Sequence, residues 1–336
     1  MTPIPRTQTA AWIENPRPHA QLELRHDVPV PEPVGGEVLV KLECTGFCHS
    51  DLHCIYGELP MSVNVVGHEG VGRVVKLGPN APRDMLGMRV GIKWLWSSCK
   101  DCPTCKVQYT NCPNQRNSGR VYFVSPIPEN LEPETVAPLL CAGLTMYGAL
   151  NKLDKYCDKG DWVVIMGAGG GLGHLGIQIG KEMGYRIIAV DSESKRDFCM
   201  QSGAEAFVDF SDDPTTQIQS LADGIGAHAV IVVVGLEKAY EQSVEFLRPV
   251  GTLVCVGLPR PDYHLPISPL MCVDRGYRIV GSAVGTEDEM QALLRMAAAG
   301  KVVTHVTVFD LEAINEVAGL LGRFAVKGRA VLRIPA

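Results

Sequence analysis

Residues Trp162–Gly173 read WVVIMGAGGGLG, an apolar run that passes without a break into a glycine-rich turn. An unbroken apolar run reads as a strand buried on both faces. Glycine lets the chain turn sharply and approach a ligand with its backbone, and a helix follows through Met183. A helix opening on such a turn offers free N–H groups to a pyrophosphate. The spacing is GxxGxxG through Gly167, Gly170 and Gly173 rather than the strict dinucleotide fingerprint, so confirmation has to come from context. The next apolar run, Ile187–Val190, supplies it by ending in Asp191. A carboxylate there accepts hydrogen bonds from ribose hydroxyls and repels a 2′-phosphate, which favours NAD over NADP. Arg196 nearby leaves some room for NADP, and a solvated acid at a strand end is the plain alternative for Asp191. Gly167, Gly170, Gly171, Leu172, Asp191 and Lys195 are the candidate cofactor contacts of this region.

Further apolar runs follow at Ala206–Val208, Ala229–Val234, Thr252–Val256 and Arg278–Val280, and helix-length segments separate most of them. This pattern predicts an α/β fold with a doubly wound parallel sheet. Before it, residues 20–150 read as short strands broken by Pro and Gly, with alternation in Glu37–Glu43 and Gly70–Leu77. After Gly285 the character is mixed, with an amphipathic helix expected at Glu287–Ala299. A chain of 336 residues exceeds one ordinary core. The expected organisation is a β-rich domain over 1–150, a dinucleotide-binding domain over 151–284 and a C-terminal return over 285–336.

The formal net charge is −6 with both signs interspersed, which gives no electrostatic footprint for nucleic acid or an anionic membrane. No apolar stretch is long enough to span a bilayer, and the N-terminus lacks the pattern of a leader peptide. The expected location is the cytosol, where the twelve cysteines stay reduced and clusters among them read as metal ligands.

Cys99, Cys102, Cys105 and Cys112 form such a cluster. Four thiolates at this spacing can surround one zinc ion tetrahedrally, in a closed structural site. A second site has to be assembled from distant residues: Cys48 in GFCHSD, His68 and Glu69 in GHEG, and Cys141 before Gly143. Two thiolates and an imidazole would leave a fourth position open, as in catalytic zinc sites. Taken singly, each of these residues is a weak signal, since a lone cysteine or histidine is more often part of a core.

The stretches CHSDLH (48–53), GHEG (67–70), GIKWLWSSC (91–99), APLLCAGLTMYGAL (137–150), GAGGGLG (167–173) and KGRAVL (327–332) resemble the zinc-containing medium-chain alcohol dehydrogenases, in particular the fungal and bacterial ethanol-dehydrogenase type. The resemblance covers nearly the whole chain. It implies a GroES-like catalytic domain holding two zinc ions, one catalytic and one structural, beside a Rossmann domain that binds NAD. It further implies Cys48, His68 and Cys141 as catalytic zinc ligands, with Glu69 as an alternate or neighbouring ligand. Ser50 would start the proton relay and Asp51 would orient His68 or the zinc site. His49 and Arg329 would contact the pyrophosphate, and Thr145 the nicotinamide. The implied reaction passes a hydride between the nicotinamide and a small alcohol or carbonyl compound. The implied assembly is a homodimer or homotetramer, built in part by edge pairing of the nucleotide-domain sheet.

The sequence departs from the family in three places. Tyr56 stands where the ethanol-oxidising enzymes are read to end their relay in histidine; its ordinary pKa near 10 makes it a poor base, so oxidation is expected to be slower than reduction. Trp94 keeps one pocket tryptophan, but Leu59 replaces its partner and Ala283 replaces a third lining aromatic, so a substrate bulkier than ethanol is expected. The chain is also short between Cys112 and Cys141, where Gly119-Arg120 runs into Val121–Pro126; losing a strand would expose a sheet edge. A biosynthetic reductase of fungal secondary metabolism fits the pocket. The alternatives are a general ethanol or acetaldehyde enzyme and a cofactor-binding relative without catalysis.

Overall fold

The computed structural model describes residues 3–61, 63–117 and 124–335. The junction at Gly119–Phe123, where the chain is shorter than expected, lies outside the described residues. The chain forms two compact units. One comprises Met1–Cys141, Met290–Ala298 and Thr304–Ala336; the other comprises Ala142–Glu289 and Ala299–Val303. The division falls after Cys141 rather than at 150/151, because helix Ala142–Asn151 packs under helix Gly173–Met183. A β-carbon on Gly176 would lie 2.4 Å from Met146 Cε, so the two helices meet at the closest approach that glycine permits.

The second unit is built on a six-stranded parallel sheet. Its spatial order is Ala206–Asp209, Arg186–Asp191, Trp162–Met166, Ala227–Val232, Leu247–Cys255 and Arg278–Gly281. In chain order this is 3-2-1-4-5-6, the Rossmann arrangement, and the predicted parallel sheet is present. Every residue of Trp162–Met166 is buried, as expected for a central strand covered on both faces. Each such Val or Ile contributes about 1.5–3 kcal/mol on burial. Strand order reverses between Trp162–Met166 and Ala227–Val232, and the glycine-rich turn leaves the sheet at that switch point.

The first unit carries a second six-stranded sheet, ordered Val306–Asp310, Arg329–Arg333, Val38–Phe47, Glu69–Leu77, Arg89–Ile92 and Val124–Pro126. All its pairings are antiparallel except that between Val306–Asp310 and Arg329–Arg333. The strand expected at Gly70–Leu77 falls inside Glu69–Leu77, and that expected at Glu37–Glu43 begins one residue before Val38–Phe47 and otherwise falls inside it. The C-terminal return supplies Arg329–Arg333 beside Val38–Phe47, which sets Arg329 close to the residues that follow Phe47. The helix expected at Glu287–Ala299 spans Glu287–Ala298. Ala11, Phe47, Leu52, Ile55, Ile314, Val317 and Leu332 form the larger apolar cluster on this unit, and Val38, Val74 and Val90 a smaller one. No helix among the described residues is long and apolar enough to cross a membrane.

Candidate active site and metal centres

Strand Val38–Phe47 ends at Cys48, which N-caps helix His49–Ile55. The third helical residue, Asp51, turns its carboxylate back and accepts the Cys48 N–H at 2.9 Å through Oδ2. The other oxygen, Oδ1, accepts the His68 Nδ1–H at 2.9 Å. One buried carboxylate thus closes the helix and fixes the imidazole tautomer, and it leaves the Nε2 lone pair as the ligand position. His68 Nε2 lies 3.5 Å from Cys48 Sγ and 3.8 Å from Glu69 Oε1. Trp94 meets the His68 ring edge to face, with centroids 4.9 Å apart.

Glu69 opens strand Glu69–Leu77, opposite Gly46 in register. A β-carbon on Gly46 would stand 1.9 Å from Glu69 Oε2, so glycine is what makes room for this side chain. Cys141 ends the turn after Ala137–Leu140 and completes the group: one ligand atom from each of Cys48, His68, Glu69 and Cys141 lies within 4.8 Å of the others. Glu69 Oε1 receives a hydrogen bond from Arg329 Nη2, while Glu69 Oε2 is buried without a partner.

The electrostatics suit a cation. A hydrogen bond from Cys141, with His68 and Arg329 nearby, holds the Cys48 thiol well below its ordinary range. Its partner Cys141, donating to that thiolate and buried beside it, is held well above. Burial lifts Glu69 to about 7 against the pull of Arg329. Two thiols, an imidazole nitrogen freed by Asp51 and an orphaned carboxylate oxygen form a donor set that fits zinc.

The four-cysteine cluster closes in the same way. The Sγ separations are 3.8 Å for Cys99–Cys105, 4.0 Å for Cys102–Cys112 and 3.5 Å for Cys99–Cys112. Zn–S bonds of about 2.3 Å imply tetrahedral edges of about 3.8 Å, which these match. Cys102 N-caps helix Pro103–Gln108 and accepts the Cys105 N–H, while Cys112 accepts the Cys99 N–H. The backbone N–H groups of Asp101 and Cys102 pull the Cys99 thiol down to about 6.

In the second unit the turn after Trp162–Met166 is a backbone cradle. Gly167 has φ +84°, and a β-carbon on it would stand 2.2 Å from Val234 Cγ1. A β-carbon on Gly173 would stand 2.3 Å from the Gly167 carbonyl oxygen. No side chain caps helix Gly173–Met183, so its N-terminal dipole is left for an anion. Gly170, Gly171 and Leu172 lie within this turn. Asp191 ends strand Arg186–Asp191, accepts the Gly169 N–H at 2.9 Å and pairs with Lys195 at 3.2 Å. Arg196 is engaged by Glu193 through two hydrogen bonds. The cradle fits a dinucleotide.

The other expected site residues are spread over both units. Ser50 is half-buried on helix His49–Ile55. The His49 ring stacks on Phe324, and its Nε2 is buried without a partner. Arg329 is buried and engaged by Glu69. Thr145 is buried on helix Ala142–Asn151 of the second unit, and Ala283 is exposed just after strand Arg278–Gly281. Tyr56 packs against the apolar cluster of the first unit near Gly322, and Leu59 is half-buried beyond it. A cavity of about 250 Å³ reaches Asp51 and His68 and is walled by Cys54, Met61, Val66 and Trp94. Sequence reasoning missed His53, which is bonded to Glu58 through Nδ1 and shares a helix face with Ser50 at i,i+3 spacing. The signal is present in CHSDLH as a second histidine one helical turn on.

Known proteins with these features are similar along the whole chain. Residues 35–124 match the family model of the alcohol dehydrogenase GroES-like domain, and residues 171–299 match that of the zinc-binding dehydrogenases. Alcohol dehydrogenase 2 of Emericella nidulans is 39% identical, over 98% of each chain. Among solved structures, the alcohol dehydrogenase of the hyperthermophilic archaeon Aeropyrum pernix superposes with a TM-score of 0.88 at 29% identity, covering 97% of this chain and 100% of that one. The acetophenone reductase of Geotrichum candidum, solved in complex with NAD, gives a TM-score of 0.84 at 26% identity and covers 98% of both chains. Sharing both family domains and close to two-fifths of its residues with a full-length relative, the chain belongs to the zinc-binding alcohol dehydrogenases.

Proposed function

We propose that this enzyme transfers a hydride between NAD(H) and an alcohol, aldehyde or ketone bulkier than ethanol. The observation that carries the proposal is the Cys48–His68–Cys141 cluster beside an apolar cavity of about 250 Å³. That volume suits a ring or a branched chain better than two carbons. Cys48, His68 and Cys141 would hold the catalytic zinc with Glu69 in reserve, and Cys99, Cys102, Cys105 and Cys112 the structural one. Zinc, when bound, supplies a Lewis acid that eases loss of the alcohol proton or polarises a carbonyl. NAD, when bound, supplies the hydride acceptor.

The chain's own residues do the remaining work. Asp51 keeps His68 in the ligating tautomer. Ser50 holds the hydroxyl proton, and His53 carries it toward solvent with Glu58 at its back. This path bypasses Tyr56, which packs against the apolar cluster near Gly322, so oxidation is not forced to be slow. Gly167–Gly173 would take the pyrophosphate, His49 and Arg329 are the further residues proposed to contact it, and Thr145 would position the nicotinamide. Asp191 takes the ribose hydroxyls; with Arg196 held by Glu193, NAD is preferred over NADP. Of the residues expected at the substrate pocket, Trp94 walls the cavity, whereas Leu59 and Ala283 are not among its lining residues.

The assembly we propose is a homodimer or homotetramer. Strand Arg278–Gly281 is one of the two edge strands of its sheet, with Leu270 and Val273 largely exposed on the preceding helix. The cytosol, where free thiols persist, suits the two cysteine-rich sites. A biosynthetic reductase, as in secondary metabolism, is the role proposed for an enzyme with such a substrate.

The test is an NADH-oxidation screen over aldehydes and ketones of increasing size. Aryl or branched carbonyls should exceed acetaldehyde in kcat/KM by at least about tenfold, a difference worth about 1.4 kcal/mol. Acetaldehyde as the best substrate would refute the substrate class. Full zinc and NADH binding with no turnover on any compound would refute catalysis.

A further inference from the structure

Helix Ile314–Gly322 ends in a turn that calls for glycine and holds a phenylalanine instead. Phe324 has φ +55°. Its N–H bonds to Leu321 O at 2.9 Å and the Ala325 N–H to Leu320 O at 2.9 Å, the paired return bonds that close a helix on a left-handed residue. A bulky aromatic residue in that conformation is an outlier. Burial does not repay it, because the side chain is 57% exposed. What the ring does touch is His49: the two are stacked, with centroids 5.0 Å apart and planes 21° from parallel. His49 is also the residue whose ring Nε2 is buried without a hydrogen-bond partner. Backbone strain that the core does not need is kept where a neighbouring group gains from it.

We propose that Phe324 is a positioning residue for the cofactor, pinning the His49 ring so that its Nε2 is held ready for an anionic phosphate of the dinucleotide. This rests on the role given to His49 above. The His49 ring is already bonded to the Leu321 backbone, and the stack restrains its rotation further before the ligand arrives, so part of the ordering cost is met in folding rather than in binding. Nothing in the fold of the first unit otherwise requires an aromatic side chain at this turn.

The test separates affinity from stability, measured on the zinc-loaded enzyme by NADH fluorescence titration and by thermal unfolding without cofactor. Phe324→Gly relieves the left-handed strain and should raise Tm by about 2–4 °C. The same substitution removes the stack and leaves His49 only its bond to the Leu321 backbone, and should weaken NADH binding by about 3–10-fold. A merely structural residue would not move the two in opposite functional senses. Phe324→Leu keeps the strain without the stack, and should lose affinity with no gain in Tm; Phe324→Tyr should retain wild-type affinity. In a His49→Gln background, Phe324→Gly should cost no further affinity. Unchanged NADH affinity in Phe324→Gly alongside a weakened His49→Gln would overturn this proposal and leave the cofactor site standing. So would additive losses in the double variant. No NADH binding by the wild-type enzyme would instead overturn the cofactor reading, and this inference with it.

Discussion

Replacing Asp51 by asparagine preserves volume and removes one of two buried acceptor oxygens. The carboxylate serves two buried donors, the Cys48 N–H at Oδ2 and the His68 Nδ1–H at Oδ1, both at 2.9 Å. Asparagine has one carbonyl oxygen. If that oxygen caps Cys48, its NH2 faces His68, and the imidazole has to accept at Nδ1 and carry its proton on Nε2, the position needed for the metal. If the oxygen faces His68, the amide NH2 is driven against the Cys48 N–H. The first arrangement sacrifices the ligand; the second leaves a buried donor unpaired at about 1–3 kcal/mol. Loss of such an orienting partner lowers metal affinity by about 10–100-fold, or about 1.4–2.8 kcal/mol. The assay is zinc per chain by elemental analysis after dialysis against a graded series of chelator concentrations. Asp51→Asn should fall from two zinc ions to one at a chelator level that leaves the wild type loaded, because the four-cysteine site has no contact with Asp51. If Asp51→Asn keeps both ions throughout the series, the carboxylate does not control the ligating tautomer, and the mechanism built on it fails.

Three other outcomes are expected. Cys112→Ser should cost one zinc ion and several degrees of Tm while sparing the other site, since Cys112 is buried and caps the Cys99 N–H; zinc content unchanged at two per chain would contradict the four-thiolate assignment. Gly173→Ala should destabilise by about 1–3 kcal/mol and weaken NADH binding, because its β-carbon meets backbone at 2.3 Å, whereas Gly170→Ala, whose nearest contact is 3.2 Å, should be mild; urea melts and NADH titrations showing equal effects would sink the cradle geometry. His228 accepts the Trp162 N–H, and burial together with Arg248 holds its pKa below the ordinary value. The unfolded chain therefore binds more protons in the window from about 6.5 down to the lowered folded value, and stability falls as pH drops through it. His228→Asn should flatten that slope in denaturant melts, and an unchanged slope would assign the effect to other groups.

The parts of this molecule legible in the sequence are those whose physics is local. Trp162–Met166 shows as a strand because every residue in it is buried, and its turn shows because glycines crowd the residues after it. The four cysteines of the structural site lie within one short loop, so spacing alone exposes them. Strand Leu247–Cys255 is legible only from Thr252, because Pro249, lacking a donor, and Gly251 read as a turn; Val250 in fact carries φ +58° inside the strand. Cys48, His68 and Cys141 are far apart in the chain, and only the resemblance could join them. Asp51 reads as a helix-start acid in any sequence, and its second bond, to His68, exists only once two strands are paired. The conformation of Phe324 leaves no trace in composition or periodicity, since it is a property of the helix end and not of the residue.

The two units reach their chemistry by different physical routes. In the first, scaffold and site share atoms: Asp51 is both cap and orienter, Cys48 is both cap and ligand, and Gly46 is small because Glu69 occupies the space its β-carbon would need. Folding of that unit and loading of its metal are therefore one linked equilibrium, and a chelator acts on stability as well as on activity. In the second unit the cradle is made of backbone, held open by glycines that face the side chains of Val234 and Lys195 at Gly167 and Gly169 and backbone at Gly170 and Gly173, and none of these neighbours belongs to a metal cluster. Metal loss and cofactor loss are accordingly separable defects: metal-stripped enzyme should keep the glycine-turn geometry, while Gly173→Ala should keep both zinc ions.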